Sequence, residues 1–304
     1  MPKVGVVALV GRPNVGKSSL VNCLLDYHLS IVTPKPQTTR DNILGLYTDE
    51  RGQILFVDTP GLHKPQHLLG TRLVERAKAT LNGADVVVIV AEANDDTTGG
   101  AYRHIFEALG PLENRQVIAL VNKCDLPGAK GKALAAMAGL NKLWPQAELL
   151  PFSAKTGLNR DLFLNLVFER LQEGELLYPE DQLTDRSERF LAGELIRQCA
   201  MDGTEEEVPH SLAVEIEEYQ SPDEYPRQDL YVRATLHVER AGQKAILIGK
   251  NGCRLKMVKT HARRKLKQVT GWPVTMDLWV KVSEGWREDE RALKRLGYGK
   301  TEEM

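Results

Sequence analysis

Five short runs of nearly unbroken apolar residues mark the first half of the chain: VGVVALV (4–10), ILFVD (54–58), DVVVIVA (85–91), VIALVN (117–122) and AELLPFSA (147–154). Unbroken rather than alternating hydrophobicity is the pattern of strands covered on both faces. Stretches with helical patterning lie between most of them, for example 72–82 and 160–173. This alternation predicts an α/β domain with a mainly parallel sheet and helices on both faces. Positions 23–50 break the rhythm and read as a loop followed by a strand at the sheet edge.

The pattern changes at GELLYPEDQLTDR (174–186), where glycine, proline and acidic residues predict a linker and Asp185 is placed to cap a following helix. Beyond it RSERFLAGELIRQCAM reads as a helix, SLAVEIEEY (211–219) and DLYVRATLHVE (229–239) as alternating strands, QKAILIG and CRLKMVKTHARRKLKQV as helices, and VTMDLWVKV (274–282) as a strand. Helix–strand–strand–helix–helix–strand is a small α+β domain. GWREDERALKRLGY (285–298) reads as an amphipathic helix. The expected organisation is therefore a first domain over 1–173, a linker over 174–185 and a second domain over 186–304. The length of 304 residues, too great for a single typical core, agrees.

Composition adds exclusions. The formal net charge of -1 gives no global attraction to polyanions, although an average conceals patches. Cys23, Cys124, Cys199 and Cys253 form no CxxC pair, which argues against zinc and disulfides and suits a reducing cytoplasm. No apolar run approaches membrane-spanning length. The opening MPKVGVVALV leads into a glycine-rich turn and reads as a buried strand rather than a signal peptide.

The candidate chemistry begins directly after the first strand. GRPNVGKS (11–18) matches GxxxxGK[ST], a pattern that chance places in roughly one chain in a hundred of this length. Its glycines, Gly11 and Gly16, let main-chain N–H groups turn inward around phosphates, beside Asn14 and Val15 and at a helix N-terminus that carries Ser19. Lys17 is placed for the β- and γ-phosphates and Ser18 for magnesium. DTPG (58–61) follows another strand, with Asp58 for magnesium and the Gly61 N–H for the γ-phosphate. In NKCD (122–125), Asp125 offers a carboxylate to the two donors on the guanine edge that adenine lacks. Asn122 braces the loop and the Lys123 stem covers the purine. SAK (Ser153, Ala154, Lys155) brings an Ala154 N–H toward the guanine oxygen. Each short motif is weak alone; four in order at strand ends specify GTP.

With PQTTRD (36–41) between the first two, these motifs resemble those of the translation-factor-related GTPases, and nearly the whole chain resembles the Era family of bacterial GTPases. The resemblance implies a slow GTPase switch using GTP/GDP and magnesium, with a switch threonine closing on the metal: Thr39, or its neighbour Thr38. Where Ras-type enzymes place a water-positioning glutamine, this chain has Leu62, and His63 is either a substitute or part of a turn. Relatives with an apolar residue here often bind potassium through a phosphate-loop asparagine. Asn14 holds that position, and the plainer reading is that asparagine tolerates the tight turn. Lys17, Thr39, Gly61 and Asn14 are thus the candidate catalytic set.

A second glycine loop, ILIGKNG (246–252), is no second nucleotide loop: its glycines are three apart and no Ser or Thr follows the GK pair. Gly249, Lys250, Asn251 and Gly252 fit the GxxG loop of KH domains, which clamps about four single-stranded nucleotides. Ile246 and Ile248 would line a groove for bases, with Arg254 and Lys256 near the phosphates. Nine basic residues and no acid lie between Gln243 and Gln268, a patch hidden in the average by Glu205–Glu207, Glu215, Glu217 and Glu218. The resemblance supplies the RNA partner, the 3′ end of small-subunit ribosomal RNA, with the small ribosomal subunit as the setting and a monomeric protein. The competing reading makes 254–267 a basic amphipathic helix for anionic lipid, with Leu255, Met257, Val258 and Leu266 facing the membrane. The Era resemblance itself implies peripheral membrane association at the inner face of the cell membrane.

Overall fold

A computed structural model of the chain describes residues 1–33, 35, 39–62, 67–97, 100–109, 112, 114–204 and 208–299. Thr38, His63 and Glu205–Glu207 lie outside the described residues. The chain divides into two compact units, with the main boundary between Asp185 and Arg186.

The first unit runs β1 (Lys3–Gly11), α1 (Lys17–Leu25), β2 (Ile43–Asp49), β3 (Gly52–Asp58), α2 (Leu68–Asn82), β4 (Val86–Glu92), α3 (Gly100–Leu109), β5 (Gln116–Asn122), α4 (Ala129–Leu143), β6 (Glu148–Pro151), α5 (Arg160–Arg170) and β7 (Gln172–Glu173). The sheet order is β2-β3-β1-β4-β5-β6, with β7 paired antiparallel to the start of β1. The strands from β3 to β6 are parallel, and β2 is the antiparallel edge. Ala8, Val10, Val87, Ile89, Ala119 and Val121 face one core, shared with Ala77, Tyr102, Ile105, Leu140 and Trp144. Val7, Leu9, Leu20, Leu24 and Phe56 are equally buried, and Phe163 of α5 packs against Phe56 and Phe152. Burial on both faces is why these strands carry unbroken apolar runs.

The order of the strands reverses at β1, whose neighbours β3 and β4 follow it on opposite sides. Such a reversal leaves a crevice at the carboxyl ends of the strands. Register delivers the functional residues there: Leu9 pairs with Asp58, Gly11 with Val90, and Glu92 with Asn122.

The second unit contains α6 (Glu188–Asp202), α7 (Val208–Ser211), β8 (Ala213–Gln220), β9 (Leu230–Val238), α8 (Ala241–Ile248), a 3-10 turn (Lys250–Gly252), α9 (Cys253–Thr270), β10 (Val274–Val282) and α10 (Glu290–Arg295). Its sheet order is β10-β9-β8, with β10 parallel and β8 antiparallel to β9. The alternating inward positions Val232, Ala234, Leu236, Met276 and Val280 meet Ile196, Ala200, Leu247, Val258 and Leu266 of the helices.

Three expectations are corrected in detail. The strand expected over 147–154 spans only Glu148–Pro151 at the sheet edge, where Pro151 is tolerated because an edge strand leaves alternate N–H groups unpaired. The helix expected over 285–298 is confined to Glu290–Arg295, started by Asp289, whose Oδ1 accepts from the N–H groups of Arg291 and Ala292, and followed by Gly297 at φ 86°. The segment 174–185, expected as a linker, is fastened to the first unit. Fully buried Gln53 accepts from the Leu177 and Tyr178 N–H groups and donates to the Tyr178 carbonyl, while the Leu46 N–H donates to the Leu183 carbonyl.

Replacing Gln53 by Leu keeps the volume and strips the bonds that its side chain makes, leaving part-buried main-chain groups of Leu177 and Tyr178 unsatisfied. Urea unfolding is expected to show a loss of about 2–4 kcal/mol, with new protease cleavage inside 174–185. An unchanged midpoint and cleavage pattern would show that the segment is held without Gln53.

Candidate functional site

The phosphate-loop sequence leaves β1 and enters α1 at Lys17. Asn14 (φ 65°) and Gly16 (φ 97°) are left-handed, which folds the chain back tightly enough to form a cup. Five carbonyls of this turn have protein partners. Gly11 O accepts from the Leu62 N–H (3.1 Å) and, with Arg12 O (2.9 Å), from Lys17 Nζ. Asn14 O accepts from Lys123 Nζ (2.8 Å), Val15 O from Asn122 Nδ2 (2.9 Å) and Gly16 O from the Leu20 N–H (2.8 Å). Because the peptide group is planar, a carbonyl committed on one side turns the next N–H to the other. The N–H groups of Arg12, Val15, Gly16 and Lys17 therefore point away from those partners, as a cradle for phosphate oxygens requires.

Gly61 presses on this loop from the neighbouring strand end: a Cβ there would lie 2.7 Å from Pro13 N and 2.9 Å from its Cα. Leu62 is 3 % exposed within the core, so its side chain is directed away from any water at the phosphates.

Ser18, Thr39 and Asp58 converge as expected for magnesium ligands. The Ser18 and Thr39 hydroxyls share a hydrogen bond of 2.8 Å, and Thr39 Oγ1 donates to Asp58 Oδ2 (3.4 Å). Asp58 is fully buried and its Oδ1 has no hydrogen-bond partner among the described residues. Two hydroxyls and a buried carboxylate with a spare oxygen are a hard, all-oxygen donor set, which fits magnesium. This geometry favours Thr39 for the metal.

Burial depresses the Lys17 ammonium from its ordinary 10.5 to about 8, with Asp58 opposing the fall. Burial likewise raises the Asp58 carboxyl, opposed by Lys17 and by the hydroxyls of Ser18, Ser30 and Thr39.

The base-recognition end is equally ordered. Ser153 Oγ donates to Asp125 Oδ1 (2.7 Å); Asp125 is half-buried, as is Ser19 in the first turn of α1, and Lys155 is exposed. Asn122, 2 % exposed, locks two loops together through Val15 O and the Ala154 N–H (3.0 Å). The Ala154 N–H, expected to meet the guanine oxygen, donates here to Asn122 Oδ1, since a buried side-chain amide needs partners for both its ends.

Three residues beside the cradle carry no sequence motif. Asp95, in the turn after β4, accepts from Arg12 Nη1 (2.7 Å), the Glu92 N–H (3.0 Å) and the Tyr102 hydroxyl (2.5 Å). Glu92 pairs with Lys123 at 2.6 Å. Their only sequence signal is the placement of carboxylates at the carboxyl end of a buried parallel strand.

In the second unit, α8 ends at Gly249 with φ 74° and ψ 172°, a conformation confined almost entirely to glycine, and Asn251 (φ 52°) and Gly252 (φ 73°) continue left-handed into α9. A Cβ at Gly249 would lie 2.9 Å from that of Arg254. Lys250, Asn251 and Lys256 are exposed around the loop, and Ile246 is 44 % exposed beside it. Arg254 Nη1 donates to the Ile246 carbonyl (2.9 Å) at the end of α8, and Ile248, partly buried, packs against the core of the unit. Of the apolar residues assigned to lipid in the competing reading, Val258 and Leu266 are core, Leu255 packs on that core, and Met257 alone is 52 % exposed. Among the described residues no helix is long and apolar enough to cross a membrane.

Comparison with known proteins decides the family. Residues 6–123 match the 50S ribosome-binding GTPase family and residues 207–287 the KH domain. The GTPase Era of Pseudomonas aeruginosa is 43 % identical over 298 residues, covering 98 % of this chain and 95 % of its own. The chain belongs to the Era family of GTPases. The GTPase Era of Heliobacterium modesticaldum is 40 % identical over 97 % of this chain and 96 % of its own. A crystal structure of Era in complex with MgGDPNP and nucleotides 1506–1542 of 16S ribosomal RNA superposes with a TM-score of 0.92 at 40 % identity, covering 98 % of this chain and 100 % of that one. Aquifex aeolicus Era bound to GDP and AlF4- gives 0.91 at 40 % identity, covering 98 % and 99 %. The chain is thus a GTPase of the phosphate-loop class with a C-terminal KH domain.

Between pH 8 and 10.5 the unfolded chain keeps a proton on Lys17 that the folded, nucleotide-free protein has released, so the Lys17 contribution to stability rises with pH there. Urea unfolding of nucleotide-free wild type and Lys17→Met at pH 8 and pH 10 should show the wild type gaining on the order of 2 kcal/mol relative to the variant. A difference that stays flat would contradict the buried, depressed ammonium.

Proposed function

We propose that this GTPase is a nucleotide-controlled RNA-binding switch, whose second unit holds a single strand near the 3′ end of small-subunit ribosomal RNA during assembly of that subunit. The reading is carried by the presence in one chain of a pre-formed phosphate cradle and a strained GKNG loop beside a basic helix. The crystallised Era–16S RNA complex supports the choice of RNA.

In the first unit the cradle N–H groups and Lys17 hold the phosphates, while Asp125 accepts from the donors on the guanine edge. Ser18, Thr39 and Asp58 would hold magnesium, which supplies charge neutralisation for the departing phosphate when bound. Phosphoryl transfer asks the protein mainly for position and electrostatic stabilisation. Lys17 offers positive charge and the Gly61 N–H a donor for the γ-phosphate. Leu62 cannot orient water, so intrinsic turnover is slow. Asn14 is the residue through which potassium would act, adding a cation where charge develops.

Asn14→Gly separates that role from tolerance of the turn, since glycine keeps the left-handed backbone and removes only the amide. Steady-state GTP hydrolysis should be several-fold faster in potassium than in sodium at equal ionic strength for the wild type, and equal in both salts for the variant. A wild type indifferent to the cation, or a variant that keeps the preference, would remove potassium from the mechanism.

RNA binding is tested with a labelled small-subunit rRNA 3′-end oligonucleotide at physiological salt, comparing GTP-analogue, GDP and nucleotide-free protein. Gly249→Asp and Gly252→Asp place a carboxylate in backbone that disfavours it. Each should weaken binding at least tenfold, and affinity should differ between nucleotide states. Binding that ignores the nucleotide and survives both substitutions would make α9 a generic polyanion surface and send the question to anionic vesicles. Salt dependence belongs in the comparison, because each single-strand phosphate contact contributes a log–log slope of about -0.7.

A further inference from the structure

We propose that Asp95 and Tyr102 are positioning residues for the GTPase reaction, acting through Arg12 to keep the phosphate loop in its binding form before nucleotide arrives.

The second half of the phosphate loop is tied down by Asn122 on Val15 O and by Lys123 on Asn14 O. Pro13 has no N–H, so the stretch between Gly11 and Asn14 has few main-chain donors with which to secure itself. Arg12 provides the substitute. Its carbonyl receives Lys17 Nζ, and its guanidinium, on a side chain 40 % exposed, is paired with Asp95 Oδ1 at 2.7 Å. An exposed ion pair between two mobile side chains contributes little. Here only one partner is mobile. The Asp95 side chain is 13 % exposed, and its Oδ2 accepts from the Glu92 N–H and the Tyr102 hydroxyl. Tyr102 is fully buried in the core under α3, and burial beside the Asp95 carboxylate raises its phenol far above the usual range, so it remains a neutral donor. Arg12 is consequently moored to the core through a fixed carboxylate.

The same short turn serves the other half of the site. Glu92 pairs with Lys123, whose Nζ reaches Asn14 O. Glu92 and Asp95 therefore hold the loop from both sides, each through a cation that touches it. Loss of either tie leaves the ligand-contacting atoms in place but frees the loop to leave the conformation in which its N–H groups converge. Such loss of pre-organisation appears in binding and release rather than in the chemical step.

The test uses the full chain with Asp95→Asn and Tyr102→Phe, the second removing only a hydroxyl. Release of a fluorescent GDP analogue is followed by displacement, alongside KM and kcat for GTP and the thermal midpoint of nucleotide-free protein. The expected result is release about tenfold faster for Asp95→Asn, the scale of one charge-assisted hydrogen bond, and several-fold faster for Tyr102→Phe. KM should rise in step, with kcat changed less than about twofold and the nucleotide-free midpoint little moved. Adding Asp95→Asn to Arg12→Ala should then change release no further, because the carboxylate acts through that guanidinium. Wild-type release rates in both single variants, or an undiminished effect of Asp95→Asn in the Arg12→Ala background, would overturn the proposal. So would a lowered nucleotide-free midpoint with release unchanged, which marks a purely structural role.

Discussion

The first unit turns on a constraint of the peptide group: N–H groups can be aimed at an anion only if the carbonyls behind them are satisfied elsewhere. Between Gly11 and Gly16 those partners come from Leu62, Lys17, Lys123, Asn122 and Leu20, which lie on three separate stretches of chain. They meet because parallel register brings the ends of β1, β3, β4 and β5 to one edge of the sheet. The doubly covered sheet thus acts as the rigid frame on which a flexible, glycine-bearing turn acquires a single shape.

The parts of this arrangement that depend on local sequence are readable without coordinates. Unbroken apolar runs announce buried parallel strands, and Lys17, Ser18, Asp58, Asn122 and Asp125 announce themselves by fixed spacing after those strands. What escapes is set by contacts between residues remote in sequence. Asp95 meets Arg12 across 83 positions, and Gln53 holds Tyr178 across 125. Nothing in EAND or in GELLYPEDQLTDR marks either partner. The commitment of the Ala154 N–H to Asn122 and of Arg254 to the Ile246 carbonyl has the same origin: a polar group takes the nearest acceptor that the fold supplies, and spacing alone does not say which that is.

The two glycine loops solve different problems with similar residues. The loop at 11–16 is enclosed, its carbonyls are spoken for, and ligands for metal and base surround it. Gly249, Asn251 and Gly252 instead expose a left-handed turn at the start of α9, whose first turn contains no acidic residue. A repeating polyanion needs an open track with positive potential, not a closed pocket with a fixed number of donors. That difference also explains how a chain of net charge -1 carries a basic surface: the compensating acids Glu215, Glu217 and Glu218 stand on β8, whereas the lysines and arginines are concentrated on α9.

Placing Lys17 and Asp58 together in a fully buried site disfavours the nucleotide-free protein, because burial works against both charges and their mutual attraction offsets it only in part. Phosphates and magnesium would reverse both terms, the first by surrounding the ammonium with oxygen and the second by placing a cation near the Asp58 carboxylate. A ligand that binds only the folded protein stabilises it in proportion to the logarithm of its saturation. The residues that make the empty site costly are therefore the ones that make nucleotide binding tight. Their cost is set against a frame whose strands bury apolar side chains on both faces of the sheet. A switch requires that separation. The strain and the buried charge sit at the strand ends and in the loops around the phosphates, and the interior of the sheet that positions them is apolar.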